Sequence, residues 1–310
     1  MTTKIASTYN SKCKEPPMAL FHSNKNYASD TGGAYTQLSD NDFRKFSAYI
    51  YDACGIKLPP IKKTMLSARL QKRLRHLKMN SCSTYLEYVL SPQGQAQELH
   101  HLIDVVSTNK TDFFREAQHF EALTSVVLPE YFSRLRHSTR PLRVWSAGCS
   151  SGEEPYTIAM VLDDFFRKYP GRTFSILATD ICTQVLDKAR EAIYTNEDIQ
   201  PVPPPFKHRY LMRGKGNRKG SYRVVPELRS MVNFQRLNFM DQEFHIREKI
   251  DIIFCRNVII YFDRPTQEKV LNRLCRYLNP GGFLFMGHSE TLNGLRVPLV
   301  QAAPTIYRRT

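Results

Sequence analysis

Apolar positions recur along the chain with two different periods, and the change between them divides it. The first 36 residues show no apolar period and are rich in Ser, Thr, Asn and Lys, which predicts a disordered tail. From Ser39, a good helix N-cap, Phe43, Phe46, Ile50 and Tyr51 share one face of a helix that Gly55 ends. A second helix is predicted from Ile61 to Leu77, with Met65, Leu70, Leu74 and Leu77 as its apolar stripe. Helices over Ser83–Leu90 and Gln95–Val106 complete a small all-α region, residues 37–106. Residues 107–140 then form a linker with a covering helix.

From Pro141 short apolar runs alternate with helical patterns. Strands are predicted at Leu142–Ala147, Phe174–Thr179, Ile250–Cys255 and Gly282–Met286, with helices at Glu154–Lys168, Thr183–Ala192 and Pro265–Leu278. Asp263 and Pro265 mark the start of the last helix, and Asn279-Pro280-Gly281-Gly282 its stop. Alternation of this kind implies an α/β domain, residues 141–310, with a mostly parallel sheet covered on both faces. A proline-rich stretch from Pro201 to Pro205 breaks the rhythm. The basic, glycine-punctuated segment after it holds strand-like runs at Tyr222–Val225 and Met231–Phe234, and predicts an antiparallel appendage over about residues 209–235.

Charge adds a partner to this picture. The net charge is +15, and residues 38–80 carry ten Lys/Arg against three Asp. On the second helix Lys62, Arg69, Lys72, Arg73, Arg75 and Lys78 form a one-sign face, which marks Arg69, Lys72 and Arg73 as candidates for docking an acidic partner. The seven cysteines form no CxxC pair and no zinc spacing, so reduced thiols and no metal are expected. The segment Ile250–Phe262 is too short and too interrupted to span a bilayer, so neither membrane insertion nor a secreted destination is expected.

Candidate chemistry begins at Val144–Glu154, where a strand runs through a small-residue loop containing Gly148 into a helix start. Such a loop lets backbone amides approach a ligand at the carboxyl end of a sheet. Glu153 and Glu154 would repel a phosphate there and suit a cationic ligand group; acidic residues also favour any first helical turn. Asp180, ending the next strand, can accept from ribose hydroxyls or cap the following helix.

Four segments then carry a resemblance: Ser107–Glu116 (STNKTDFFRE), Gly152–Tyr156 (GEEPY), Phe254–Phe262 (FCRNVIIYF) and Gly287–Glu290 (GHSE). In this order and spacing the chain resembles the CheR family of chemotaxis receptor methyltransferases from about Leu38 onward. The resemblance implies a Rossmann-like class I S-adenosylmethionine-dependent methyltransferase domain with a small β-subdomain, preceded by a helical domain. It implies that Asn109, Thr111 and Arg115 fold over the cofactor, that Gly148, Glu153 or Glu154, Asp180, Asn238, Phe239, Cys255 and Arg256 line its site, and that Tyr261 lies near the reacting centre. His288, Ser289 and Glu290 receive no catalytic part.

The implied reaction is methyl transfer to glutamate carboxylates of cytoplasmic chemoreceptor domains, leaving S-adenosylhomocysteine. The acceptor is already ionised at neutral pH, so no general base is required. Arg115 and Tyr261 are the candidate catalytic residues. The appendage implies a site for a receptor C-terminal peptide by strand addition. Two rival readings are a silent S-adenosylmethionine sensor and a nucleic-acid methyltransferase; the basic helix lacks the aromatic residues that the latter would use for stacking.

Overall fold

The computed structural model describes residues 38–134 and 140–310. The predicted tail and part of the linker lie outside them. The described residues begin with five α-helices: α1 (Asp40–Cys54), α2 (Lys63–Leu77), α3 (Cys82–Leu90), α4 (Pro92–Gln97) and α5 (Leu99–Val106). Ser39 caps α1 by accepting from the Asp42 amide, and Gly55 closes it in the left-handed region at φ 73°. A methyl group on Gly55 would stand 2.8 Å from Met240 Sδ, so this turn also sets how closely the helices approach the sheet.

The core face of α2 carries Leu66, Leu70 and Leu74. This corrects the predicted stripe: Met65 is only partly buried and turns to the cavity described below. The predicted helix from Gln95 to Val106 is two helices, parted where Glu98 is drawn inward to Arg73.

A helical connection follows: α6 (Gln118–Ala122), a π turn (Leu123–Val127) and α7 (Leu128–Arg134). The α/β part contains β1 (Leu142–Ala147), α8 (Glu153–Phe166), β2 (Phe174–Asp180), α9 (Thr183–Glu191), β3 (Ile193–Thr195), α10 (Pro204–Tyr210), β4 (Leu211–Arg213), β5 (Ser221–Val224), α11 (Pro226–Ser230), β6 (Val232–Arg236), β7 (Ile250–Cys255), α12 (Arg264–Tyr277), β8 (Leu278–Met286), β9 (Leu299–Ala303) and β10 (Ile306–Arg309). The main sheet has the order β6-β2-β1-β7-β8-β10-β9. Its first five strands are parallel, and β10 and β9 add antiparallel. The chain winds outward from β1 in both directions, so a crevice opens at the carboxyl ends of β1 and β7, where open α/β sheets bind ligands.

The appendage is smaller at one end and longer at the other than the sequence predicts. Its sheet is β3-β5-β4, with Ile193–Thr195 paired to Ser221–Arg223. Val232–Arg236 instead runs parallel to Ile176–Asp180 as the edge of the main sheet. Burial of Val232 on the main core gives that run its place there, while Tyr194 is buried under the small sheet. The α12 helix passes straight into β8 at Leu278, because Ile250 pairs with Leu278 before the glycines are reached. The C-terminal strands β9 and β10 have no counterpart in the sequence reading.

One apolar core lies between the sheet and α6–α8, a second fills the helical domain, and a third lies on the sheet's other face. Ile56 packs against both of the last two, so the helical domain is docked onto the sheet. Among the described residues no helix is long and apolar enough to cross a membrane.

Candidate active site

At the carboxyl ends of β1, β2 and β7 a cavity of about 310 Å³ opens beneath the helical domain. Its size lies at the lower end of the range of small-molecule sites. The loop from Gly148 to Gly152 forms one wall. Gly148 sits at φ +93°, and a Cβ there would lie 2.3 Å from Val258 Cγ2, so only glycine admits this close approach.

Two carboxylates face the cavity from this side. Glu154 accepts from Ser146 Oγ at 2.7 Å and pairs with Arg256 Nη1 at 3.1 Å. Asp180 accepts from the Ser150 and Cys182 amides at 2.8 and 3.0 Å. It thus fixes the loops that flank it, while Asp104 accepts from the first amide of α9, and Asp180 keeps further lone pairs for a ligand. Burial pushes both carboxyls above their ordinary range, despite Arg256 at the one and the amides at the other. Bringing a cation here would compensate both.

The segment between Ser107 and Glu116 covers the cavity. The Ser150 hydroxyl donates to the Asn109 carbonyl at 2.9 Å, and the Phe114 amide donates to Thr157 Oγ1 at 3.2 Å. Asn109, Thr111 and Arg115 all line the cavity. Arg115 is steadied only by Lys110, whose carbonyl accepts from Nη1 at 3.0 Å; it has no ion pair among the described residues. Phe114, Glu116, Ser150 and Asn257 around this wall all hold positive φ, a concentration of local strain.

Arg256, nearly fully buried, ties wall to cover: besides Glu154 it pairs with Glu116 at 3.1 Å and donates to the Arg115 carbonyl. Tyr261 lines the opposite side on a 3-10 turn, Ile259–Tyr261, and its carbonyl accepts from the Lys57 amide at 2.9 Å. That turn is held by Glu290, whose carboxylate accepts from the amides of Gly287, Asn257, Val258 and Ile259 at 2.7 to 3.0 Å. Asn238 and Phe239 also line the cavity. Asn238 additionally donates to the Ala53 carbonyl at 2.7 Å, which locks the end of α1 to the cavity rim.

Other candidates lie elsewhere. Glu153 is turned away from the cavity and bonded by Ser151 Oγ; burial pushes its carboxyl up to about 7. Of the adjacent acids it is thus Glu154 that faces the ligand space. Cys255 is fully buried in β7 and does not line the cavity, so the position contributes through the strand end and not its thiol. The proposed docking trio is divided. Arg69 donates to the carbonyls of Val105, Val106 and Ser107, closing the end of α5, and Arg73 forms a bidentate pair with buried Glu98. Only Lys72 of the three is exposed.

Several site residues escaped the sequence reading. Glu116 and Glu290 act on the wall from a distance in sequence, and Lys57, Met65 and Ile260 line the cavity without any sequence signal that assigns them to it. Glu290 had been marked by its GHSE segment but not by a function.

The donor set fits S-adenosylmethionine: an acidic wall for its cationic groups, Asp180 for hydroxyls, and a glycine that leaves room at the strand end. Comparison with known proteins agrees. The family description "CheR methyltransferase, SAM binding domain" matches residues 109–305, and "CheR methyltransferase, all-alpha domain" matches residues 41–107. The chain is 41% identical over 270 residues to a chemotaxis protein methyltransferase of Escherichia coli, covering 87% of this chain and 91% of that one. Chemotaxis protein methyltransferase 2 of Pseudomonas aeruginosa is 40% identical over 249 residues, with 80% and 86% covered. The corresponding protein of Borreliella burgdorferi is 37% identical over 274 residues, with 88% and 95% covered. With both domains matched in order and the ligand space lined as described, the chain belongs to the CheR family of S-adenosylmethionine-dependent chemotaxis methyltransferases.

Proposed function

We propose that the enzyme esterifies glutamate side chains in the cytoplasmic helical domain of membrane chemoreceptors, and that it works in the cytoplasm. The observation that carries this reading is the opposition of charge within one cavity. Glu154 and Asp180 line its wall, while Arg115, with no ion pair among the described residues, belongs to its cover. A cationic donor suits the first and an anionic acceptor the second.

S-adenosylmethionine supplies an electrophilic methyl group on a sulfonium. The residues of the chain then have to position the acceptor and exclude water, since an ionised glutamate needs no base. Arg115 and Tyr261 orient the carboxylate. Arg115 does so loosely, because a tight bidentate grip would favour the ground state. Asn109, Thr111, Asn238 and Phe239 complete the cofactor's enclosure, and Arg256 keeps Glu154 in place.

Docking of the receptor falls to the exposed cations near α2, namely Lys62, Lys72, Arg75 and Lys78, with Arg69 and Arg73 supporting the helix from within. The small sheet offers β4 as an edge strand, with Met212 exposed and basic residues following, for a receptor C-terminal peptide.

The test is transfer of labelled methyl groups to receptor-containing membranes. Base-labile label on a chemoreceptor is the expected result. Label on RNA, or binding of the donor without any transfer, would replace this reading by one of its rivals.

A further inference from the structure

Glu116 meets Arg256 outside the cavity lining, and two histidines converge on the same carboxylate. His119 Nδ1 lies 3.4 Å and His288 Nε2 3.9 Å from Glu116 Oε2. One donor atom from each of the three residues lies within 4.8 Å of the others. The residues belong to α6, the turn before it and the loop after β8, so only the fold brings them together.

The histidine tautomer follows from its neighbours. His119 Nε2 is 2.6 Å from Thr305 Oγ1, and the Thr305 hydroxyl donates to the Pro304 carbonyl at 2.7 Å. Thr305 therefore accepts, Nε2 carries the proton, and Nδ1 presents a bare lone pair. His119 is only 2% exposed, and its Nδ1 has no hydrogen-bond partner. A lone pair and a carboxylate oxygen thus face each other at 3.4 Å. A metal ion placed there would engage both atoms at once.

We propose that Glu116, His119 and His288 form a site for a divalent transition metal, Zn²⁺ in particular. Two imidazoles and one carboxylate with a fourth position open to water are a zinc donor set, whereas Mg²⁺ and Ca²⁺ prefer oxygen alone. Metal–ligand distances of about 2.0–2.1 Å place tetrahedral donors about 3.4 Å apart. His119 and Glu116 already stand at 3.4 Å, and the His288 side chain, 49% exposed, lies 3.9 Å from Glu116 with its donor atom within 4.8 Å of the other two and has room to move inward. The Thr305 contact supplies the outer-shell partner that a ligating histidine needs. Arg256 opposes the metal from 3.1 Å away at Glu116, so the site is weaker than a structural zinc site and exchanges its ion. Metal bound there competes with Arg256 for Glu116 and loosens the wall that holds Glu154. Occupancy therefore lowers turnover reversibly; this last consequence alone rests on the proposed function.

The experiment uses the full chain, stripped with a chelator, without donor or receptor. Titration with Co²⁺ should give saturable tetrahedral ligand-field absorption at one ion per chain, discharged by Zn²⁺. His288→Ala, at an exposed position, should weaken Co²⁺ binding by more than tenfold, and Thr305→Val by about tenfold. A His76→Ala variant, changing an exposed histidine on α2, should bind as the parent does. Absent or non-saturable absorption, or binding that survives His288→Ala, overturns the site. Binding with the expected variants but without any effect of Zn²⁺ on methyl transfer keeps the site and overturns its regulation of the wall.

Discussion

The buried arginine–carboxylate clusters at Arg73 and at Arg256 differ in completeness. In the helical domain Arg73 grips Glu98 with two bonds of 2.7 Å, and Tyr85 adds a third to the same carboxylate at 2.8 Å. Around Arg256 the guanidinium is divided among Glu154, Glu116 and the Arg115 carbonyl, Nε is left without a partner, and neighbouring residues are strained. A saturated cluster serves architecture, because it has nothing left to offer a ligand. An unsaturated one is held in place by the surrounding fold and keeps interactions for something that arrives later.

Glu98→Gln makes the sharpest test of this contrast. Breaking the buried pair should cost about 3–5 kcal/mol of stability in urea unfolding, with affinity for S-adenosylmethionine unchanged in calorimetry. A loss of cofactor affinity in the folded variant would erase the distinction between the clusters. Arg115→Ala should reverse the pattern: turnover falls about 10²–10³-fold while unfolding is little affected and cofactor affinity is largely kept. If calorimetry showed lost cofactor binding and nothing else, Arg115 would belong to binding and not to orientation of the acceptor.

The same distinction separates two adjacent residues. Glu153 has a folded pKa of about 7 against an ordinary 4.5. Between those values the unfolded chain has lost its proton and the folded chain has not, so stability falls as pH rises through this window. Glu153→Gln removes the fall, and its advantage over the parent should grow with pH to about 3 kcal/mol at pH 8. A pH-independent difference in thermal or urea unfolding would contradict the assignment. Glu154→Gln should act on the ligand: about 1.5–3 kcal/mol of cofactor affinity is lost, with a smaller effect on the fold than Glu98→Gln. Equal effects of the two neighbouring glutamines on cofactor binding would mean that facing the cavity does not matter.

Much of this was legible in the chain. The strands Leu142–Ala147 and Ile250–Cys255 read directly because both faces are covered and their short runs are mostly apolar. The caps at Ser39, Gly55 and Asp263 read directly because capping is local chemistry. Edges read poorly. Val232–Arg236 looks the same whether it joins the main sheet or the appendage, and Leu299–Ala303 is mostly exposed and shows no apolar face. For the site, adjacent positions were interchanged where periodicity allows either, as with Met65 and Leu66 on α2. The α2 cations read alike as a docking face, and Arg69 and Arg73 do not stand out as structural because Glu98 and the carbonyls of Val105, Val106 and Ser107 lie outside any local window. The metal-capable trio escaped for the same reason: 172 residues separate Glu116 from His288, and no spacing rule spans them.

The carboxylate of Glu290, gathering the amides of Gly287 and three consecutive residues of the Arg256–Tyr261 loop, has a kinetic consequence. A loop bound in this way already has the shape it needs when substrates collide with the enzyme. Its conformational entropy is surrendered while the chain folds, once per molecule, and does not recur with each catalytic cycle.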